Sequence, residues 1–134
     1  MIRTLLALLL LALPAWPSAP AEKAAPFLGR YEGTGRACSG VLRISSHHLS
    51  WSTPFTSCRR IPYRVLSESS NPSGYKVVLQ LDRKPEGWFY PIVSLKRTPD
   101  MTEQAWNVRG YQSLKDYQTD NLPETLGCLM FKVR

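Results

Sequence analysis

Residues Gly35–Tyr63 read GRACSGVLRISSHHLSWSTPFTSCRRIPY. Leu42 and Ile44 alternate with Val41, Arg43 and Ser45. The same period resumes at Leu49 and Trp51, after the polar break Ser46-His47-His48. Period-two alternation on both sides of a short polar turn predicts a β-hairpin. Cys38 stands just before the first of these strands and Cys58 just after the second. A bridge between them clamps the open end of the hairpin.

The flanking segments carry the same signature. Phe27 to Gly35 is too rich in glycine for a helix, where each glycine costs ~1 kcal/mol; it predicts a first strand over Arg30–Ala37, bent at Gly33 or Gly35. Ile61-Pro62-Tyr63-Arg64-Val65-Leu66 forms the fourth strand, and the run SESSNPSG (Ser67–Gly74) has the composition of a turn. Tyr75–Leu81 is the clearest strand, with Tyr75, Val77, Leu79 and Leu81 on one face. After the loop DRKPEG (Asp82–Gly87), Trp88–Arg97 forms the sixth strand, with Pro91 marking a bulge or bend. Ala105–Tyr111 is the seventh. Ser113 caps a short helical turn. Leu126–Arg134 closes the chain, with Leu129, Phe131 and Val133 facing in and Cys128, Met130, Lys132 and Arg134 facing out. Leu42, Trp51, Val77, Leu79, Phe131 and Val133 are the expected core.

Eight short strands without a long helix define an all-β fold. Sequence neighbours pair most readily, so a small antiparallel eight-stranded meander is expected, closing into a barrel that hides its edges. A β-sandwich is the alternative. In such a barrel the end of the first strand, the end of the third and the start of the eighth share one rim, so Cys38, Cys58 and Cys128 gather there. Three pairings are open, and Cys38–Cys58 is the favoured one.

Met1–Ala21 has the form of a secretory signal peptide. Arg3 supplies the positive start, Leu5–Leu13 the apolar run, and Ala19-Pro20-Ala21 a cleavage site. The run is shorter than the ~20 residues a membrane span needs. Residues 22–134 then form a single domain, large enough for its own core. A periplasmic or secreted location follows. Of the 17 Lys and Arg only Arg3 leaves with the signal, while all 10 Asp and Glu remain. A basic exported protein suits acidic polymers, anionic membrane surfaces or acidic proteins. Three cysteines in such a chain imply one disulfide and one thiol. Without a C-x-x-C pair, neither a redox motif nor a zinc knuckle is indicated.

Phe27-Leu28-Gly29-Arg30-Tyr31 resembles the Gly-x-Trp opening of the first lipocalin strand, with Tyr31 in place of the tryptophan. With the strand count, this makes the chain similar to the calycin group, which includes lipocalins and fatty-acid-binding proteins. The resemblance implies a lipocalin-like barrel and a carrier role. The chain departs from lipocalins in its shorter length and in lacking their long helix near the end. The combination C-S-G-x-L at Cys38, Trp51, S/T-P-F-x-S-C at Cys58 and I-P-Y at Ile61 also resembles small exported bacterial proteins of unknown function.

Chemistry-bearing residues are few. Adjacent strand residues point to opposite faces, so His47-His48 is expected at a loop tip with no metal. There is no G-x-S-x-G elbow for a serine nucleophile. No enzymatic activity and no cofactor are expected. Arg36, Arg59, Arg60 and Arg64 form a candidate anion site beside the cysteines, since the guanidinium fork matches carboxylate and phosphate. Specific nucleic-acid binding is disfavoured because no recognition module is present. Trp51, Tyr63, Tyr75 and Trp106 either line an internal cavity or fill the barrel, with filling favoured; eight strands leave room only for side chains or one small ligand. The expected function is ligand binding, of a small amphipathic molecule inside the barrel or an acidic partner at the Cys/Arg rim. The alternatives are inhibition of a secreted hydrolase, in the manner of a lysozyme inhibitor, and a structural envelope role.

Overall fold

The computed structural model describes residues 13–18, 24–120 and 125–134. Most of the segment read as a signal peptide lies outside them. The chain forms β1 (Gly29–Gly33), β2 (Gly40–Ile44), β3 (His48–Ser52), β4 (Ser57–Asn71), β5 (Gly74–Leu81), β6 (Ile92–Arg97), β7 (Ala105–Tyr111), α1 (Leu114–Thr119) and β8 (Thr125–Val133). Each strand pairs antiparallel with its sequence neighbours, and β8 pairs with β1, closing an eight-stranded meander barrel. The meander predicted from the sequence is the observed fold. No helix among the described residues is long and apolar enough to cross a membrane.

The connections divide the barrel into two ends. The β1–β2, β3–β4, β5–β6 and β7–β8 connections lie at what we call the upper end, and the N-terminal segment with the other connections at the lower. Trp88 folds inward from the β5–β6 loop to meet Trp51, with ring centroids 5.4 Å apart. Its indole N–H is satisfied by the Tyr90 carbonyl at 2.7 Å. At the lower end Phe27 is buried beside Tyr63, and the Tyr31 hydroxyl donates to the Phe27 carbonyl at 2.7 Å. Between these residues the inward positions Leu42, Leu49, Val77, Leu79, Leu95, Val108 and Met130 have no exposed surface.

Three boundaries and one bulge differ from the sequence reading. β1 ends at Gly33 rather than Ala37, because the chain folds back there: a Cβ on Gly33 would lie 2.1 Å from the Cys38 carbonyl oxygen. β4 runs on to Asn71 through the serine-rich segment expected to turn, since Ser67–Asn71 pairs residue by residue with Gly74–Val78. Long-range pairing overrides local turn preference, and the turn shrinks to Pro72-Ser73. β6 begins only at Ile92, because Trp88–Tyr90 is drawn into the barrel end. In β4 an extra residue opposite Ser50 forms a bulge, with Arg60 in the left-handed region at φ 51°. Its N–H is held by Ser50 Oγ at 2.7 Å. The bulge lets both Cys58 and Ile61 face inward, although three positions separate them. The helical turn capped by Ser113 is present, with Ser113 Oγ accepting from the Asp116 N–H.

The facing of β8 is opposite to the sequence reading. Cys128 and Met130 are buried, Lys132 shares their face, Val133 is half-buried, and Leu129 and Phe131 are 48% and 40% exposed. Leu-Met-Phe is apolar in either phase, so composition cannot choose between them. Pairing decides: Cys128 stands opposite Val108, and Met130 opposite Trp106.

The disulfide also differs from the favoured pairing. Cys38 bonds to Cys128, with Cα atoms 5.7 Å apart, and Cys58 is a buried free thiol. Cys58 sits opposite Trp51 inside the β3–β4 ladder. Cys38 leans instead across the β1–β8 seam, toward the strand that closes the barrel.

Two outcomes follow. Met130→Ala and Leu79→Ala should each destabilise by roughly 2–5 kcal/mol, whereas Phe131→Ala should change denaturant midpoints little; equal losses at 130 and 131 would mean the β8 phase is wrong. Non-reducing peptide mapping should join the Cys38 and Cys128 peptides. Removing the bridge, which spans 90 residues, should cost roughly 4–5 kcal/mol on chain-entropy grounds.

Candidate functional site

The four aromatic residues expected inside the barrel are all part of its core. Trp51 and Trp106 are buried, and Tyr63 and Tyr75 pack half-buried against them. They form separate groups. Trp51 pairs with Trp88 at the upper end. At the lower end Trp106 receives Tyr31 and Tyr75 edge-on, each with centroids 5.7 Å away. Such edge-to-face contacts suit the ring quadrupoles. These side chains occupy the barrel interior themselves.

The lower end has unusual electrostatics. The Arg97 guanidinium lies 5.5 Å from the Trp106 centroid, and Lys132 Nζ lies 5.8 Å from that of Tyr31. Both cations rest on aromatic faces, which attract them. Lys132 donates to the Pro26 carbonyl at 2.7 Å. Burial, and then the neighbouring Arg97 charge, hold its ammonium pKa below the ordinary value. Arg97 Nε and Trp106 Nε1 are buried without a hydrogen-bond partner among the described residues. The Tyr75 hydroxyl is buried near the Glu68 carboxylate but outside hydrogen-bonding geometry; burial, then that charge, raises its pKa. Tyr31 is raised by burial foremost, then by Tyr75, with Arg97 opposing. The sequence reading missed Arg97 and Lys132, because each is a charged residue at an inward strand position.

The arginine set is only partly brought together. Arg36 lies in the β1–β2 connection next to the disulfide, at the upper end, whereas Arg59 and Arg60 are on the outer wall of β4, opposite Ser50 in the middle of β3; all three are exposed. Arg64 is farther along β4, where Nε and Nη2 both donate to Gln80 Oε1 at 3.0 and 2.6 Å. The upper end gains residues that sequence reasoning did not name. Arg83 and Lys84 are exposed in the β5–β6 loop, and Phe55 and Phe89 stand 71% and 49% exposed on neighbouring loops. The Thr56 hydroxyl donates to the Gly87 carbonyl and ties those two loops together. His47 and His48 lie at the β2–β3 turn, at the opposite end.

A third feature lies on the barrel wall. α1 leans over the outer face of β5, β6 and β7, with Tyr117 edge-on to Tyr111 at 5.3 Å. Beneath it is a cleft of about 570 Å³ lined by polar and cationic side chains.

Cys58 is next to Arg59 in β4, but its side chain turns inward, opposite Trp51. Burial pushes its thiol from the ordinary 9.0 up to about 11, against a lowering backbone contact from Trp51. No family model, curated protein or solved structure matches this chain.

The buried phenols and thiol set an alkaline limit. Each has a raised folded-state pKa, so between the unfolded and folded values the unfolded chain has lost a proton that the folded chain keeps. Stability is then complete below the unfolded values and falls as pH rises through the folded ones. For Cys58 that window runs from 9.0 to about 11. Urea midpoints should fall across it, and Cys58→Ala should make the fall shallower. A profile identical in the variant would show that the thiol is not buried as described.

Proposed function

We propose that this is an exported, non-enzymatic binding protein that engages an acidic macromolecular partner through the upper end of its barrel. One observation carries the reading. The β1–β2, β3–β4 and β5–β6 connections hold Arg36, Arg83 and Lys84 against only Asp82 and Glu86, around exposed Phe55 and Phe89, and Arg59 and Arg60 stand on the adjoining outer wall of β4. The fourth connection adds Lys115, Asp116 and Asp120 among the described residues, and Glu124 by sequence. An excess of cations around exposed aromatic side chains suits a partner surface that is acidic at its edge and apolar at its centre.

Supporting features are structural. The Cys38–Cys128 bridge anchors the loop carrying Arg36, and the Thr56–Gly87 bond joins the loops carrying the two phenylalanines. Surface loops on a rigid scaffold are where binding residues concentrate. The disulfide suits an oxidising compartment, which favours export to the periplasm or beyond. Kinship with the calycin group belongs to the same proposal, but with the aromatic core filling the barrel, a carrier role for an interior amphipathic molecule is the less favoured reading. Inhibition of a secreted hydrolase is a special case in which the acidic partner is an enzyme.

Binding to dextran sulfate tests the proposal. Wild type should bind, with affinity falling steeply as salt rises, because exposed charges are screened beyond ~8 Å at physiological ionic strength. Arg59→Ser/Arg60→Asn should weaken binding severalfold; asparagine is chosen because it tolerates the left-handed backbone at position 60. Equal affinity for both proteins would remove the upper end as the site.

A further inference from the structure

We infer that the cleft between α1 and the outer wall of β5–β7 is a second binding site, for a small polyhydroxylated anion such as a sugar bearing a carboxylate or a phosphate. Strand register builds it. Lys76 stands directly opposite Lys96, Lys96 opposite Asn107, and Ser94 opposite Arg109, all on the outward face. Two lysines paired across neighbouring strands repel, and such pairs destabilise a sheet. Arg109 is answered by Asp120 at 3.1 Å. Among the described residues no carboxylate answers Lys76 or Lys96; Lys76 rests 4.9 Å from the centroid of the Tyr117 ring. The folded chain thus places two lysines at directly facing positions along a concave site, an arrangement that an anion stabilises.

The remaining lining sets the ligand class. Ser94 is a polar residue only 5% exposed, in a wall otherwise apolar on its inner side. Asn107 and Gln118 add amides, and Thr98 and Tyr117 add hydroxyls. A lining of this kind matches a ligand with several hydroxyl groups rather than an acyl chain. The volume of about 570 Å³ falls within the ~300–1,000 Å³ of small-molecule sites. α1 forms one wall and is held by the Tyr111–Tyr117 contact and the Arg109–Asp120 pair. The cleft is on the side of the barrel, away from Arg59 and Arg60, so it does not depend on the upper-end proposal.

The test is a backbone-amide NMR titration of the protein with glucuronate, glucose 6-phosphate and glucose. One or both anionic sugars should shift the signals of residues 76, 94, 96 and 107, and neutral glucose should not. Which anion acts identifies the carboxylated or the phosphorylated class. In Lys76→Gln/Lys96→Gln, which keeps the side-chain length and relieves the repulsion, the spectrum should remain folded and affinity should drop about tenfold or more. Lack of shifts with both anions, equal shifts with glucose, or unchanged affinity in the double variant would each overturn the site.

Discussion

The seam between β1 and β8 joins the two ends of the domain, and everything else in the barrel depends on its closing. Only four register pairs hold it, Arg30–Val133 through Gly33–Met130. The Cys38–Cys128 bridge lies beside it and converts a contact between segments 90 residues apart into a covalent one. A short seam of this kind carries a large loop-closure entropy in the unfolded chain, which a crosslink removes. Gly33 matters here as well, since the β1–β2 connection passes too close to its Cα for any side chain.

Closure creates an interior that aromatic side chains occupy. Two groups divide the space: Trp51 with Trp88 at the upper end, and Trp106 with Tyr31 and Tyr75 at the lower. Filling a small barrel with large rings buries much apolar area per residue but leaves polar ring atoms to satisfy. Trp88 succeeds through Tyr90, whereas the indole N–H groups of Trp51 and Trp106 have no partner among the described residues. The positive charge is unevenly spread, over the upper loops, the wall beneath α1 and the Arg97–Lys132 pair below.

The sequence by itself determined the class of fold. Period-two alternation at Leu42–Ile44, Leu49–Trp51, Tyr75–Leu81 and Ala105–Tyr111 repeats between turn signals, and the absence of long 3.6-residue periodicity makes the chain all-β, with a meander barrel or a sandwich open to it. Ser113 as a helix cap and His47-His48 as a turn were legible for the same local reason: each depends on residues within four positions of itself. Strand parity alone places the β1–β2 connection with Arg36 at the end of the barrel where β4 begins.

What only the tertiary structure decided was every feature fixed by contacts between distant segments. The phase of Leu129-Met130-Phe131 depends on which neighbours β8 meets, because all three residues are apolar. The choice of Cys128 over Cys58 as partner for Cys38 depends on barrel closure, which pairs β8 with β1 and brings Cys128 to the β1–β2 connection. The wall cleft needs register, since nothing local says that Lys76 and Lys96, twenty positions apart, face each other. Hydrophobic patterning selects strands and their faces, but pairing across the sheet, which is long-range, selects phase, crosslink and site.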